Sequence, residues 1–277
     1  MKDVPTIEEF QQLILKWYEE NGRILPWRTT SSPYHILISE IMLQQTQVSR
    51  VIQKYNDFIK KFPDFSTLAS SSTKDLLSIW QGLGYWRRAK YLQELAKQVI
   101  TKYNGKLPKN IEVLETFPGI GPYTSRAIAC FAFGNNEPFI DTNIRRVYIH
   151  FFFPKETKVT DKSILTIAKK AVLKESPKTW HYALFDYGSQ ILRKTSVNKR
   201  STTYHNQSKF EKSFRFYRTK AINIVMDSNN SRILQKTLIY ELEKIFEKDS
   251  VSFQAKSIID SLIHDRLFQL QKNMISI

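Results

Sequence analysis

Ser39-Glu40-Ile41-Met42-Leu43-Gln44-Gln45-Thr46-Gln47 is the stretch on which the reading of this chain turns. It opens as apolar helix, carries one carboxylate inside that helix, and breaks into uncharged polar residues. A Glu flanked by Ile38, Ile41 and Met42 loses water, and desolvation raises a carboxylate's pKa towards general-acid range. The polar run after it can hydrogen-bond base edges or hold two strands apart. Taken alone, the stretch also fits a surface Glu on an amphipathic helix with a polar C-terminal end, because strongly perturbed carboxylates are a minority. The rest of the chain decides between them.

With 277 residues the chain can bury a real core, as one large domain or two modest ones. Only 8 glycines, with 3.6-residue apolar spacing almost throughout, predict a mainly helical protein. A formal charge of +16 favours a polyanionic partner, most simply nucleic acid. No apolar run reaches the roughly 18–20 residues a spanning helix needs, and the N-terminus lacks a signal-peptide apolar region. A cytoplasmic protein without a membrane partner is therefore expected. The single cysteine, Cys130, excludes an intramolecular disulfide and any multi-cysteine zinc or iron–sulfur site. It falls in the apolar stretch Ala127–Ala132, where a buried structural thiol is expected. His35, His150, His181, His205 and His264 show no ligand-like pairing at helical spacing, so no metal site is expected.

Working outward from Glu40, Ser32 and Pro33 supply an N-cap and first turn for its helix. Upstream, residues 6–20 read as a helix with a Thr6/Glu9 capping box, stopped at Asn21-Gly22. The loop between holds Leu25-Pro26-Trp27-Arg28. Downstream, a helix over about 48–62 carries Arg50, Lys54, Lys60 and Lys61, and a shorter one covers 72–80. Gly82-Leu83-Gly84-Tyr85-Trp86-Arg87-Arg88 combines close backbone approach, aromatic stacking faces and cations, which suits either a nucleic-acid contact or a turn into a basic helix. That helix runs over 86–103.

Residues 111–134 read as two short helices joined by Pro118-Gly119-Ile120-Gly121. Glycines before a helix N-terminus expose N–H groups, and the helix dipole adds positive potential, an arrangement that binds phosphate. Asp141-Thr142-Asn143 then sets an Asp at a helix start, as a plain N-cap or as a rigidly held carboxylate. Helices follow over 162–174 and 178–192. From Arg193 to Lys220 there are nine Lys or Arg against one acid, Glu211, which predicts a basic linker or DNA-facing loop. The tail offers helices near 214–226, 232–247 and 252–265, then alternating runs around Lys272-Asn273 that suit a hairpin. Residues 214–277 are thus expected to form a small winged-helix-like unit.

In order and spacing, Pro26-Trp27-Arg28, the Ser39–Val48 stretch, Gly82-Leu83-Gly84-Tyr85, Pro118–Thr124 and Asp141–Val147 resemble the MutY-type adenine DNA glycosylases. These belong to the helix-hairpin-helix superfamily that also contains endonuclease III. The resemblance covers about residues 6–192. It implies an all-α, two-lobed fold, with a six-helix lobe over about 23–134 and a second lobe from 1–22 plus 135–192. Residues 193–213 would be the basic linker and 214–277 the C-terminal extension.

The implied activity is hydrolysis of the N-glycosidic bond of an adenine mispaired with 8-oxoguanine or guanine in double-stranded DNA, by a monomer. Glu40 resembles the acid that protonates adenine N7, and Asp141 the carboxylate that stabilises the cationic sugar. Tyr123 and Asn143 match residues that position them. Gln44, Gln45 and Thr46 resemble a wedge in the duplex, Tyr85 an intercalating side chain, and Asp186 an acid near the adenine pocket. Arg28 matches a substrate-binding position, while Gly119 and Gly121 match the phosphate-holding hairpin. Endonuclease III carries its lyase lysine second after the hairpin's last glycine. Tyr123 stands there, which implies a monofunctional glycosylase that leaves an abasic site.

Two departures stand out. The family usually carries four cluster-binding cysteines after the segment matching Ala183–Gly188, but here Leu192 holds the first position and no cysteine follows. No iron–sulfur cofactor is expected, and the cations of 193–220 are expected to take over phosphate contact. Residues 206–277 do not resemble the family's Nudix-like 8-oxoguanine-reading domain. Asp141-Thr142-Asn143 also replaces the usual Asp-Gly-Asn. The alternatives are a thymine (T:G) mismatch glycosylase and a non-catalytic DNA-binding module. Glu40 favours adenine over thymine, because a purine leaving group gains most from acid at N7.

Overall fold

The computed structural model describes residues 4–206 and 208–277, so residues 1–3 of the expected glycosylase domain and Gln207 of the expected linker lie outside it. Its α-helices are α1 (Ile7–Asn21), α2 (Pro33–Leu43), α3 (Val48–Lys61), α4 (Phe65–Ser70), α5 (Thr73–Trp80), α6 (Arg87–Tyr103) and α7 (Ile111–Glu115). They continue with α8 (Pro122–Phe133), α9 (Thr142–Phe152), α10 (Asp161–Ala171), α11 (Pro177–Gln190), α12 (Phe214–Asp227), α13 (Gln235–Asp249) and α14 (Ala255–His264). Strands β1 (Arg232–Leu234), β2 (Gln269–Gln271) and β3 (Met274–Ser276) make one antiparallel sheet in the order β1-β3-β2.

Local chemistry sets most helix ends. At α1 the Glu9 N–H donates to Thr6 Oγ1 (3.2 Å) while the Thr6 N–H donates to Glu9 Oε2 (2.8 Å), the reciprocal capping box. Asn104 closes α6 and Gly134 closes α8, both in the left-handed backbone that ends helices. Helix α4 had no expectation in the sequence. Six residues are too few for a periodic signal, and it starts on its own capping box, Asp64 with Thr67. The expected helix over 232–247 begins at Gln235 instead, because Arg232–Leu234 pairs with β3, Ile233 opposite the fully buried Ile275.

Contacts divide the chain into two compact units, Met1–Glu40 with Leu107–Asn206, and Ile41–Lys106 with Gln207–Ile277. The boundary falls inside α2, which differs from the expected division into 23–134 and 1–22 plus 135–192. In the first unit α11 packs against α1, α8 and α9. Phe10 of α1 is fully buried, with the rings of Tyr148, Phe151, Phe152 and Trp180 around it. Truncating such an aromatic to Ala costs on the order of 3–5 kcal/mol.

The second unit packs α4 on α6 and α3 on α5, with Trp80, Phe58 and Leu76 fully buried. Residues 214–277 are not a separate domain but share this unit. Trp86 Nε1 donates to Thr219 Oγ1 (3.2 Å), and Asp265 pairs with both Arg87 and Arg218. A sequence reading misses these ties because each joins residues more than 40 apart through polar groups that carry no periodic signal.

The expected basic linker is also corrected at its N-terminal half. Leu192, Asn198 and Ser201 are buried, residues 197–200 form a short 3₁₀ helix, and Val159 bridges Ser201 in parallel. Arg200 explains why this cationic segment packs. Its guanidinium donates to the carbonyls of Ile149 (3.2 Å), Phe153 (2.6 Å), Pro154 (3.3 Å) and Glu156 (3.2 Å), at and beyond the C-terminal end of α9. Helix C-termini leave carbonyls without partners, and a cation there also meets the negative end of the helix dipole. Arg200→Met should strand these acceptors at a cost of about 1–3 kcal/mol and lower the melting temperature by roughly 3–8 °C. Lys199→Met, on an exposed neighbour, serves as the control in thermal denaturation. Equal melting temperatures for the two variants would remove the clip's stabilising role.

Candidate active site

Glu40 sits in the last full turn of α2 with only 5 % of its surface exposed. Burial is the main reason its pKa is pushed up to about 8, and the Asp141 charge adds to it. The Tyr123 hydroxyl, which donates to the Glu40 carboxylate, and the Arg28 guanidinium pull the other way without winning. At neutral pH Glu40 therefore holds a proton. Tyr123 is the second residue of α8, behind the Gly119–Gly121 hairpin. Burial first, then the charges of Glu40 and Asp141, holds its phenol well above the ordinary range, so it serves only as a donor.

Asp141 is the N-cap of α9. One carboxylate oxygen accepts from the backbone N–H of Asn143 (2.8 Å) and Ile144 (2.6 Å), the other from Asn143 Nδ2 (2.9 Å). Burial raises its pKa, and those donors with Arg145 oppose the rise. Three donors on Asp141 against one hydroxyl on Glu40 place the charge on Asp141 and the proton on Glu40. Pairs of acids whose surroundings push their pKa values apart are how one site holds an acid and an anion together.

Asn143 is itself positioned. Arg146 Nη1 donates to its Oδ1 (3.3 Å) and to the Gly188 carbonyl (2.6 Å). A Cβ on Gly188 would lie 2.4 Å from the Asn143 carbonyl oxygen, so α11 can approach α9 this closely only through a glycine.

Arg28 and Asp186 belong to the same unit. Asp186, fully buried on α11, takes Arg28 Nη1 (2.8 Å) and Nη2 (2.8 Å), and Arg23 through N (2.8 Å), Nε (2.7 Å) and Nη2 (2.5 Å). Burial alone would raise its carboxyl, but the two arginines outweigh it and hold it below the ordinary range. Both oxygens are thus engaged within the protein, and Asp186 anchors the 23–28 loop. Arg28 also lies 4.3 Å over the Tyr182 ring, and its Nε is buried with no hydrogen-bond partner. Arg23 was not singled out in the sequence; its pairing spans 163 positions.

The hairpin glycines differ in conformation. Gly119 has φ +81°, which requires glycine, whereas Gly121 is extended and caps α8, with Pro122 in the first turn. Cys130 is buried near His181 Nδ1 (3.6 Å), and burial pushes its thiol up to about 12. Burial also lowers His181 to about 4, and its ring stacks on Phe139. Both are core groups.

In the second unit, Gln44, Gln45 and Thr46 follow α2 and Tyr85 precedes α6. Gln45 (φ +55°) and Tyr85 (φ +47°) are left-handed, which costs a non-glycine residue roughly 1–2 kcal/mol. Arg88 holds both turns. Its buried guanidinium donates to the carbonyls of Ile41 (2.8 Å), Met42 (2.9 Å), Gln44 (2.5 Å), Leu83 (3.1 Å) and Gly84 (3.1 Å), and to Thr46 Oγ1 (3.0 Å). Its pairing of loops 40 positions apart could not be read from a basic run that equally suits a solvated face.

Four ligand thiolates are the ordinary donor set of an iron–sulfur cluster. The lone cysteine is enclosed in α8, and Leu192, at the first expected ligand position, is packed in the core. The residues present do not fit such a cluster. Among the described residues no group of His, Cys, Asp and Glu could hold a metal ion, and no helix is long and apolar enough to cross a membrane.

Residues 38–174 match the HhH-GPD superfamily of base excision DNA repair proteins. Within it, the chain is similar to adenine DNA glycosylases. That of Mycobacterium tuberculosis is 47 % identical over 135 residues, 48 % of this chain and 44 % of the relative. That of Buchnera aphidicola subsp. Baizongia pistaciae is 38 % identical over 192 residues, 68 % and 54 %. The human enzyme is 39 % identical over 155 residues, 53 % and 28 %. The chain thus spans about half or less of the length of these relatives. A thermostable thymine-DNA glycosylase superposes with a TM-score of 0.63 at 28 % identity, over 69 % of this chain and 89 % of that one. An endonuclease III–DNA intermediate shares the fold, with a TM-score of 0.57 at 20 % identity over 68 % and 86 %.

The buried acid makes a prediction about stability. The folded pKa of Glu40 is raised to about 8 from an ordinary 4.5, so the folded state binds its proton more tightly than the unfolded chain. Its contribution is most favourable below pH 4.5 and is lost progressively as pH rises through about 8. Glu40→Gln should melt above wild type at pH 7.5, by about 4 °C or more, with the gap narrowing towards pH 5. A gap independent of pH would mean that Glu40 carries its charge in the folded protein.

Proposed function

We propose that this protein is a monofunctional adenine DNA glycosylase, acting on adenine mispaired with 8-oxoguanine or guanine in double-stranded DNA and leaving an abasic site. The single observation that carries the reading is a buried Glu40, its pKa pushed up by that burial, with the nearby Asp141 held by three donors. Glycosylases act on a nucleotide rotated out of the duplex, at a cost of a few kcal/mol. Glu40 gives its proton to adenine N7. The C1′–N9 bond then breaks with its electron pair leaving on the base, and Asp141 stabilises the cationic sugar. Glu40, now a carboxylate, takes a proton from the water that adds to C1′. Tyr123 and Asn143 hold the two acids in place, and Arg28 faces the site from a loop locked by Asp186. Gln44, Gln45 and Thr46 act as the wedge in the duplex and Tyr85 intercalates beside the base opposite the excised one. Gly119 and Gly121 take backbone phosphate. The protein works where the DNA is, the cytoplasm in a bacterium, as a monomer and without an iron–sulfur cluster.

The adenine assignment draws on the named relatives, and a protonated acid suits a purine leaving group better than a thymine. The thymine-DNA glycosylase neighbour keeps T:G mismatches as the second reading. In single-turnover assays followed by alkali, wild type should cleave A:8-oxoguanine and A:G duplexes and leave T:G intact. Glu40→Gln and Asp141→Asn should each slow adenine release by at least about 10²-fold. Cleavage of T:G alone would move the assignment to thymine, and no cleavage of any duplex would leave a binding module.

The lyase claim has its own check. Tyr123 stands where a Schiff-base lysine would, so borohydride should trap almost no covalent protein–DNA complex. Efficient trapping would refute the monofunctional assignment. Iron in the purified protein, with absorbance near the visible edge, would refute the absence of a cluster.

A further inference from the structure

Among the arginines along the 81–94 segment of the second unit, Arg215 differs from its neighbours. Arg87 and Arg218 share Asp265, Arg266 pairs with Glu94, and Arg88 is committed to seven acceptors. Arg215 has only neutral partners among the described residues. Its Nη1 donates to the Tyr85 hydroxyl, and its Nη2 donates to the Ser208 carbonyl (2.9 Å) and Oγ (3.3 Å). The guanidinium lies 5.4 Å from the centre of the Tyr85 ring, and both side chains are half-buried rather than enclosed.

The pair is rigidly mounted. Arg215 is the second residue of α12, and Thr219 one turn on binds Trp86, the residue after Tyr85. Tyr85 is held in a left-handed turn next to Gly84 by Arg88. A half-exposed aromatic ring beside a guanidinium that no carboxylate neutralises offers a stacking face and a flat array of donors at one place. Arginine binds guanine through O6 and N7, a pairing that cytosine cannot offer in the major groove.

We infer that Tyr85 and Arg215 form one recognition element for the orphaned base, Tyr85 stacking on it and Arg215 donating to the O6 and N7 edge of a guanine. This rests on the reading of Tyr85 as the side chain inserted beside that base, and it gives the C-terminal segment a direct part in specificity. Of the two mispairs, A:G offers this acceptor pair, whereas N7 of 8-oxoguanine carries a hydrogen and leaves O6 alone to accept from the fork, so the element reads guanine.

The test measures binding rather than excision, which separates it from the parent reading. Duplexes carry a tetrahydrofuran abasic analogue opposite guanine, 7-deazaguanine or cytosine. Wild type should bind the guanine duplex roughly tenfold or more tightly than the other two, because 7-deazaguanine lacks the N7 acceptor and cytosine lacks both. Arg215→Met should bind all three alike, and Arg215→Lys, whose ammonium can still donate to O6 and N7, should discriminate less sharply than wild type. The lysine variant, which keeps the charge but loses the fork, should retain most of the affinity for the cytosine duplex. Melting temperatures near wild type show that both variants fold. Wild type that does not distinguish the three duplexes overturns the inference, as does an Arg215→Met that weakens all three equally, since that marks a phosphate contact. Failure of wild type to excise adenine would sink the glycosylase assignment while the binding ratios still decide this one.

Discussion

The chemistry of this protein depends on taking one carboxylic acid out of water while leaving another charged. Burial is what chiefly keeps the proton on Glu40, and the Asp141 charge adds to it because Asp141 has the stronger claim on the charge. That claim comes from the geometry of a helix start. An N-cap carboxylate is offered backbone N–H groups that nothing else satisfies, and Asp141 adds the Asn143 side chain to them. The packing of α9 against α11 then becomes part of the acid–base arrangement. Gly188 sets how near the helices come, Arg146 turns Asn143, and Asn143 steadies Asp141.

The second unit is held differently. Its polar and aromatic loops are held in strained left-handed turns by a single buried cation, Arg88. Strain of this kind persists only where the surroundings over-determine it, and seven hydrogen bonds from one guanidinium do so. Burial lowers Arg88 to about 10, which still leaves it charged near neutral pH.

Much of this was legible in the chain. The apolar flanks of Glu40 announced its desolvation, the Asp-Thr-Asn start of α9 announced a cap, and proline and glycine marked the hairpin before α8. Helix periodicity located α1, α3, α6, α8 and α10–α12 to within a few residues, and the capping Asp141 gave the start of α9. Four things were not legible, and they share a cause. The commitment of Asp186 to Arg23 and Arg28, the reach of Arg88, the packing of Arg193–Asn206 and the placement of 207–277 with 41–106 all depend on long-range polar contacts. Such contacts leave no repeat in the sequence, because one arginine in a basic run resembles the next until its partner is known. Strand β1 was read as helix for a related reason: three residues adopt whichever structure a distant strand offers.

The clip formed by Arg200 has a bearing on how this protein comes to exist. It fastens the end of α9 to a segment about fifty positions later using groups the polypeptide carries from synthesis. A fastening of that kind needs no delivery machinery and no loading step, and it has no oxidation state. It closes when residue 200 has left the ribosome and the segment after α11 can swing back onto the carbonyls of residues 149–156. Formation of this clip is therefore a matter of translation and folding alone.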